Sequence, residues 1–148
     1  MMFITHLSFS LFLGLIMVYN IPIPINQTVF LIIILLASLL PDIDSAHSFF
    51  GSKVKALSLA FRHRGVIHSI LTMIIFSIVL LTITPSFYYL LAFIAGYLSH
   101  LLLDSLTPKG IPLLWPSKKR VNGRFKTTGW VDWLLLLFFL VADAIIIL

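Results

Sequence analysis

Long apolar runs alternate with short polar breaks along the whole chain. Leu7–Ile21 is apolar until Pro22 and Pro24 end it. A second run, Thr28–Leu40, stops at Pro41-Asp42-Ile43-Asp44. Val66–Ile83 and Phe87–Leu106 are separated only by the uncharged turn Thr84-Pro85-Ser86, and Trp130–Leu148 forms the last run. The runs are continuous rather than alternating, which predicts helices and argues against a β-barrel. At ~13 residues the second run falls short of the ~20 that cross a bilayer, and the first is also short. Either is therefore tilted or half-inserted beside its neighbours. The pattern predicts an all-α integral membrane protein, a bundle of four to five membrane helices in one domain over residues 1–148.

Two polar stretches interrupt this plan. Ser45–Gly65 holds Lys53, Lys55, Arg62 and Arg64, and within it Val54–Phe61 reads as a short interfacial helix, with Leu57 and Phe61 on one face. Thr107–Gly129 holds Lys109, Lys118, Lys119, Arg120, Arg124 and Lys126, with Asn122-Gly123 as a turn or hairpin tip. Trp115, Trp130 and Trp133 cluster near one boundary, as in an aromatic belt.

Composition agrees with this pattern. The 148 residues are 60% hydrophobic and 10% charged, a balance foreign to soluble domains. The net charge of +5 arises from ten basic residues against five Asp, with no Glu. In a soluble protein such an excess marks nucleic-acid binding. Here every basic residue lies in the second or fourth loop, so membrane lipids, not nucleic acid, are the expected partners. Five spans put both loops on one side, and the positive-inside rule makes that side cytoplasmic. The N-terminal run lacks a basic n-region and a small-residue cleavage site, so it reads as a membrane segment rather than a signal peptide. Having no Cys, the chain cannot build disulfides, thiolate nucleophiles or Cys-based zinc sites.

Placing the ionisable residues on this topology gives the candidate chemistry. His6 opens the first segment, Asp42 and Asp44 close the second, and His63 and His68 open the third. His100 and Asp104 close the fourth, while Asp132 opens the fifth. Eight of the ten His and Asp residues thus share one membrane face; His47 lies in a loop on that side, and Asp143 points elsewhere. His100 and Asp104, four apart, lie on one helical face, where they either ligate a metal or staple a helix end. Asp42 and Asp44 share a target only if the chain bends near Pro41; otherwise one caps a following turn. His68 is a ligand, and His63 a ligand or a general acid/base. Arg64 clamps an anion or contacts lipid. His6 is a ligand or an interfacial polar residue, with Thr5 able to cap its helix. Asp132 either joins the site or, the preferred reading, pairs with Arg124 or Lys126. Asp143, ~16 Å along the helix from Asp132, lies too far away to join the site and is read as a far-side helix end or an interhelical polar contact. No serine-nucleophile elbow, phosphate-cradling glycine loop or dinucleotide fingerprint occurs.

Thr5-His6, Leu40-Pro41-Asp42-Ile43-Asp44, His63-Arg64-Gly65-x-x-His68-Ser69, Gly96-Tyr97-Leu98-Ser99-His100-Leu101-x-x-Asp104, Thr107-Pro108-x-Gly110-x-Pro112 and Leu114-Trp115-Pro116 occur in that order. Together they resemble the YdjM-like group of bacterial and archaeal inner-membrane proteins, regarded as membrane-bound metal-dependent hydrolases. Ser45 departs from that pattern, in which a His commonly follows the Asp-x-Asp. The resemblance implies a multi-span protein with a metal-dependent hydrolytic site.

Residues and resemblance together set these expectations. His6, Asp42, Asp44, His68, His100 and Asp104 hold one or two divalent cations. Zinc is the first choice, with manganese, iron or magnesium as alternatives. His63 shuttles protons, and Arg64, Lys118 and Lys119 hold an anionic group. The substrate is a small or lipid-like anion such as a phosphoester. The competing expectation is a non-enzymatic membrane protein, either a metal transporter or a structural partner-binding protein.

Overall fold

The structure, a computed structural model, describes residues 1–44, 66–117 and 119–148, apart from the side chains of residues 43 and 44. The expected interfacial helix over Val54–Phe61 and the residues His47, His63, Arg64 and Lys118 lie outside the described residues. The described residues form five α-helices: α1 (Phe3–Asn20), α2 (Gln27–Leu39), α3 (Ile70–Ile83), α4 (Phe87–Ser105) and α5 (Trp130–Ile147). Of these, α1, α4 and α5 are long and apolar enough to cross a membrane. α2 and α3, with 13 and 14 residues, fall short of a full span, as expected for the second run.

Local chemistry explains each boundary. Asn26 caps α2 by accepting from the Val29 N–H, and Ser69 caps α3 by accepting from the Thr72 N–H. Ser69 therefore starts the third helix at Ile70, four residues later than the apolar run begins, and leaves Val66–His68 as a separate 3₁₀ turn. At the other end of α2, Pro41 has no N–H to continue the α-helical ladder, and the backbone tightens into a 3₁₀ segment over Leu40–Asp44. The irregular backbone expected around Pro41 is thus present. Thr5 does not cap α1: the cap position is Met2, and Thr5 sits inside the helix.

α4 forms the spine. It packs most extensively on α2 and also touches α1 and α3, while α5 packs on α1. Gly96 makes the α4–α2 approach feasible, because a Cβ there would meet the Ile34 carbonyl oxygen at 2.1 Å. Phe30, Ile34, Ala92, Phe93, Tyr97 and Leu101 fill the interior. The outward faces are the reverse of a soluble protein's. Ile74, Ile75, Ile78 and Val79 on α3, and Leu137, Phe138, Val141 and Ile145 on α5, are exposed. Such a continuous apolar surface is the signature of helices solvated by lipid.

The polar loop after α4 folds back on the bundle. Ile111 and Val121 form an isolated antiparallel bridge, with N–H to O distances of 3.0 and 2.9 Å. Asn122-Gly123 is not the tip of this pair; it follows the bridge, and Gly123 N donates to Thr107 O at 3.1 Å. Gly110 takes a positive φ of 58°, and a Cβ there would strike the Val121 carbonyl oxygen at 2.4 Å. Ile70 N donates to Leu113 O at 3.0 Å, which ties the loop to the start of α3 beside His68.

Replacing Gly96 with Ala is expected to force α4 away from α2 and to lower stability by about 1–3 kcal/mol. Gly14→Ala should cost less, since its Cβ meets side-chain ends rather than backbone, Leu31 Cδ2 at 2.7 Å and Ile34 Cδ1 at 3.1 Å. Thermal unfolding of both variants in detergent checks the order.

Candidate metal centre

The alternating helix directions deliver one end of every described helix to a common place. His6 comes from the start of α1, and Asp42 from the 3₁₀ segment after α2. His68 ends the 3₁₀ turn before α3, and His100 and Asp104 lie in the last turns of α4. The convergence read from the sequence is a geometric fact for these five residues. His6, His68, His100 and Asp104 are each at most 2% exposed.

Asp104 is the centre of the group. Its Oδ1 lies 3.5 Å from His6 Nε2 and 3.2 Å from the Met1 amino nitrogen. Its Oδ2 lies 3.5 Å from His68 Nε2 and 3.7 Å from His100 Nε2. Asp42 Oδ1 approaches His100 Nε2 from the other side, at 3.8 Å. The imidazoles of His6 and His100 stack with centroids 4.1 Å apart, and His68 meets His100 edge-on at 5.4 Å.

The end of α2 decides the state of His100. Ser38 is among the last residues of α2, where carbonyls become available, and in the 3₁₀ register that follows its partner would be Pro41, which has no N–H. His100 Nδ1 lies 2.7 Å from that oxygen. A carbonyl only accepts, so Nδ1 carries the proton and donates. In the neutral ring Nε2 is then a lone pair. It has no hydrogen-bond partner among the described residues, and it faces carboxylate oxygens of Asp42 and Asp104. An imidazole fixed through one nitrogen, with the other presented to a charged cluster, is the arrangement found behind metal-bound histidines.

The donor set fits a divalent cation. Ligand atoms held at 2.0–2.1 Å in a tetrahedron stand about 3.4 Å apart. The 3.5–3.8 Å separations here are near that value and beyond the usual 2.7–3.2 Å hydrogen-bond range. One set of ligand atoms combines His6, His100 and Asp104; another combines Asp42, His68 and His100, with the atoms of each set within 4.8 Å of one another. Imidazole with carboxylate suits zinc, manganese or iron. A magnesium site of dedicated oxygen ligands is a poorer match, because magnesium retains several waters and prefers oxygen.

These observations place five of the six expected ligands together. The side chain of Asp44 lies outside the described residues, as do the expected proton shuttle His63 and the anion clamp Arg64.

Asp132 corrects the sequence reading. Instead of pairing with Arg124 or Lys126, it accepts from Met2 N at 3.0 Å, Thr5 Oγ1 at 2.8 Å and Thr128 N at 2.9 Å. It is fully buried and fastens the first turn of α1, immediately before His6, to the start of α5. Asp143 is also buried, with neither oxygen hydrogen-bonded among the described residues, so the interhelical polar contact considered for it is not formed.

Sequence reasoning missed Ser38, whose carbonyl orients His100, and Tyr97, whose hydroxyl donates to Ile67 O beside His68. Only the Tyr97 position, one turn before His100, carried any sequence signal.

Comparison with known proteins agrees with the membrane class of this fold. The sequence matches the family described as YdjM inner membrane protein over residues 1–147. The chain belongs to the YdjM inner membrane protein family. It is 41% identical over 95 residues to the inner membrane protein YdjM of Escherichia coli K12, an alignment covering 58% of this chain and 48% of that protein. The YdjM protein of Shigella flexneri matches to the same extent. A Bacillus subtilis protein named uncharacterized protein YvsG is 38% identical over 89 residues, covering 57% of this chain and 56% of YvsG. The matched region is thus about half the length of these relatives. No solved structure matches. Family membership and the apolar helices make this an inner-membrane protein, as the motif order had indicated.

Asp132→Ala would leave three donors without their acceptor and is expected to destabilise the fold by on the order of 3 kcal/mol. Thr5→Val, which removes one of the three bonds, should cost about 1 kcal/mol. Unfolding midpoints in detergent check this ranking.

Proposed function

We propose that this YdjM-family protein is a membrane-bound metal-dependent hydrolase whose site lies at the cytoplasmic membrane interface. The observation that carries the reading is His100. Its Nδ1 is committed to Ser38 O, and its Nε2 faces two carboxylates at 3.7 and 3.8 Å without a hydrogen bond. Two buried or half-buried carboxylates among histidines are costly unless a cation balances them.

His6, His68, His100, Asp42 and Asp104 would hold the ion, and the two overlapping ligand sets sharing His100 leave room for one or two. When bound, a divalent cation supplies Lewis acidity, lowering the pKa of water towards neutrality and polarising a scissile ester. The chain's own residues do the rest. Ser38 O fixes the tautomer of His100, Asp132 positions the turn bearing His6, and the loop after α4 closes against the start of α3. His63 is assigned proton transfer, and Arg64, Lys118 and Lys119 the anionic group of the substrate, which is a phosphoester or lipid-like molecule.

Sidedness follows from charge. All ten Lys and Arg fall in the two loops at the site end, which the positive-inside rule assigns to the cytoplasm. The exposed face of α3 is formed by Ile74, Ile75, Ile78 and Val79, which supports a hydrolase over a transporter, because a transport path needs polar groups at mid-membrane.

Purified protein is expected to contain stoichiometric zinc, manganese or iron, and the His100→Ala/Asp104→Ala double variant to lose at least about a hundredfold in affinity for it. Elemental analysis after dialysis reads this directly. Absence of metal from the wild-type protein, or unchanged metal in the double variant, would sink the proposal. Hydrolysis of chromogenic phosphate esters should follow metal content.

A further inference from the structure

An apolar cavity of about 360 Å³ lies between α2, α3 and α4 and is walled by Ile33, Leu36, Ala37, Leu40, Leu80 and Phe93. Its volume is that of a small-ligand pocket. Three features set it apart from an ordinary lipid-facing surface. Its floor is built into the core, since Ala37 and Phe93 are buried, and the small Ala37 side chain gives it depth. It runs along α2 to Leu40, the residue before Pro41-Asp42. Asp42 is the most accessible of the site's described side chains, at 22% exposure against 3% or less for His6, His68, His100 and Asp104. Finally, α2 and α3 are short. At 1.5 Å per residue they reach about 20 Å, against about 30 Å of bilayer hydrocarbon. Two of the three helices that frame the cavity therefore fall short of the full hydrocarbon thickness, and the exposed Leu36 marks where the cavity opens outwards, towards acyl chains beside the bundle.

We propose that this cavity is the acyl-chain slot of the site, and that its occupant is a membrane lipid carrying an anionic phosphate headgroup. The inference rests on the hydrolytic reading of the metal centre for what happens to that lipid. A chain lying along Ile33 and Ala37 would bring its headgroup linkage to the Leu40–Asp42 end. Charge complementarity selects the headgroup: the loop at this end exposes Lys109, Lys119, Arg120, Arg124 and Lys126. Moving an acyl chain from bilayer to cavity gains no hydrophobic free energy, because both surroundings are apolar. The cavity therefore contributes shape and alignment, and the headgroup end contributes selection. The runner-up lipid surface, Leu134, Leu137, Phe138 and Val141 on α5, is equally apolar but lies on a single helix. It serves as an internal control.

The test is photo-crosslinking in phosphatidylcholine nanodiscs. The probe is a lysophosphatidic acid with a diazirine at mid-chain, and its adducts are mapped by peptide mass spectrometry. Adducts are expected at Leu36, Leu40 and Leu80 in clear excess over Leu137 and Val141. Unlabelled lysophosphatidic acid in about tenfold excess over the probe should reduce them by about tenfold, by mass action. Glycerol phosphate, which has no chain, should not compete. Leu36→Trp fills the mouth of the cavity from a position 57% exposed, so the fold is spared. It should abolish the cavity adducts while bound metal stays at the wild-type level.

Adducts spread evenly over α3 and α5, or unchanged in Leu36→Trp, overturn the slot. Equal labelling by an uncharged monoacylglycerol probe overturns the anionic headgroup. Cavity adducts in a protein that binds no metal uphold the slot and reject the hydrolase reading. Stoichiometric metal with no cavity adducts does the reverse.

Discussion

Burying the Asp104 carboxylate is the constraint on which the rest of the bundle depends. A charged group in an apolar helix end is stable only if neighbours compensate it, and no single helix can supply enough of them. Asp104 gathers His6 from α1, His68 from before α3 and His100 from its own helix, and Asp42 joins through His100. Each partner fixes the position of a different element, so the chemistry and the packing of that end are one problem. The hydrophobic core below it is ordinary; Gly96 and Ile34 let α4 and α2 approach closely enough for the polar end to close.

Breaks in regular structure serve this end repeatedly. Pro41 stops α2, which frees the Ser38 carbonyl for His100 Nδ1. Ser69 caps α3 and sets His68 on a separate turn, where Tyr97 holds the backbone through Ile67 O. The turn after α4 bends at Gly110 and returns the basic loop to Ile70 N through Leu113 O. An uninterrupted α-helix in either case would consume the Ser38 carbonyl or carry His68 around the helix axis away from Asp104. The short lengths of α2 and α3 follow from the same breaks.

Much of this was legible in the chain. Five apolar runs became five helices, and the charge asymmetry of the loops by itself placed His6, Asp42, His68, His100 and Asp104 at one end. Periodicity paired His100 with Asp104, since four residues make about one turn. Asp132 misled because neighbouring Arg124 and Lys126 offered an obvious partner. Two of its three partners, Thr5 and Met2, are far away in sequence, and a buried carboxylate gains more from several N–H and O–H donors than from exposed lysine or arginine. Asn122-Gly123 misled in the same way: a turn dipeptide fixes local backbone preference but not which strands, if any, flank it.

The sequence by itself determined the membrane class, the apolar runs that became helices, the end of the bundle that holds the ionisable residues and the family motif order. These depend on hydropathy, charge and spacing, which are local or additive along the chain. Tertiary structure alone decided which atoms face one another: Ser38 O against His100 Nδ1, Asp104 between three imidazoles, Asp132 beneath the first turn of α1, and the cavity beside Leu40. Those depend on how helices rotate about their axes and how closely they approach. Packing sets both, and in a chain this apolar many rotations are equally consistent with the pattern of hydrophobic positions.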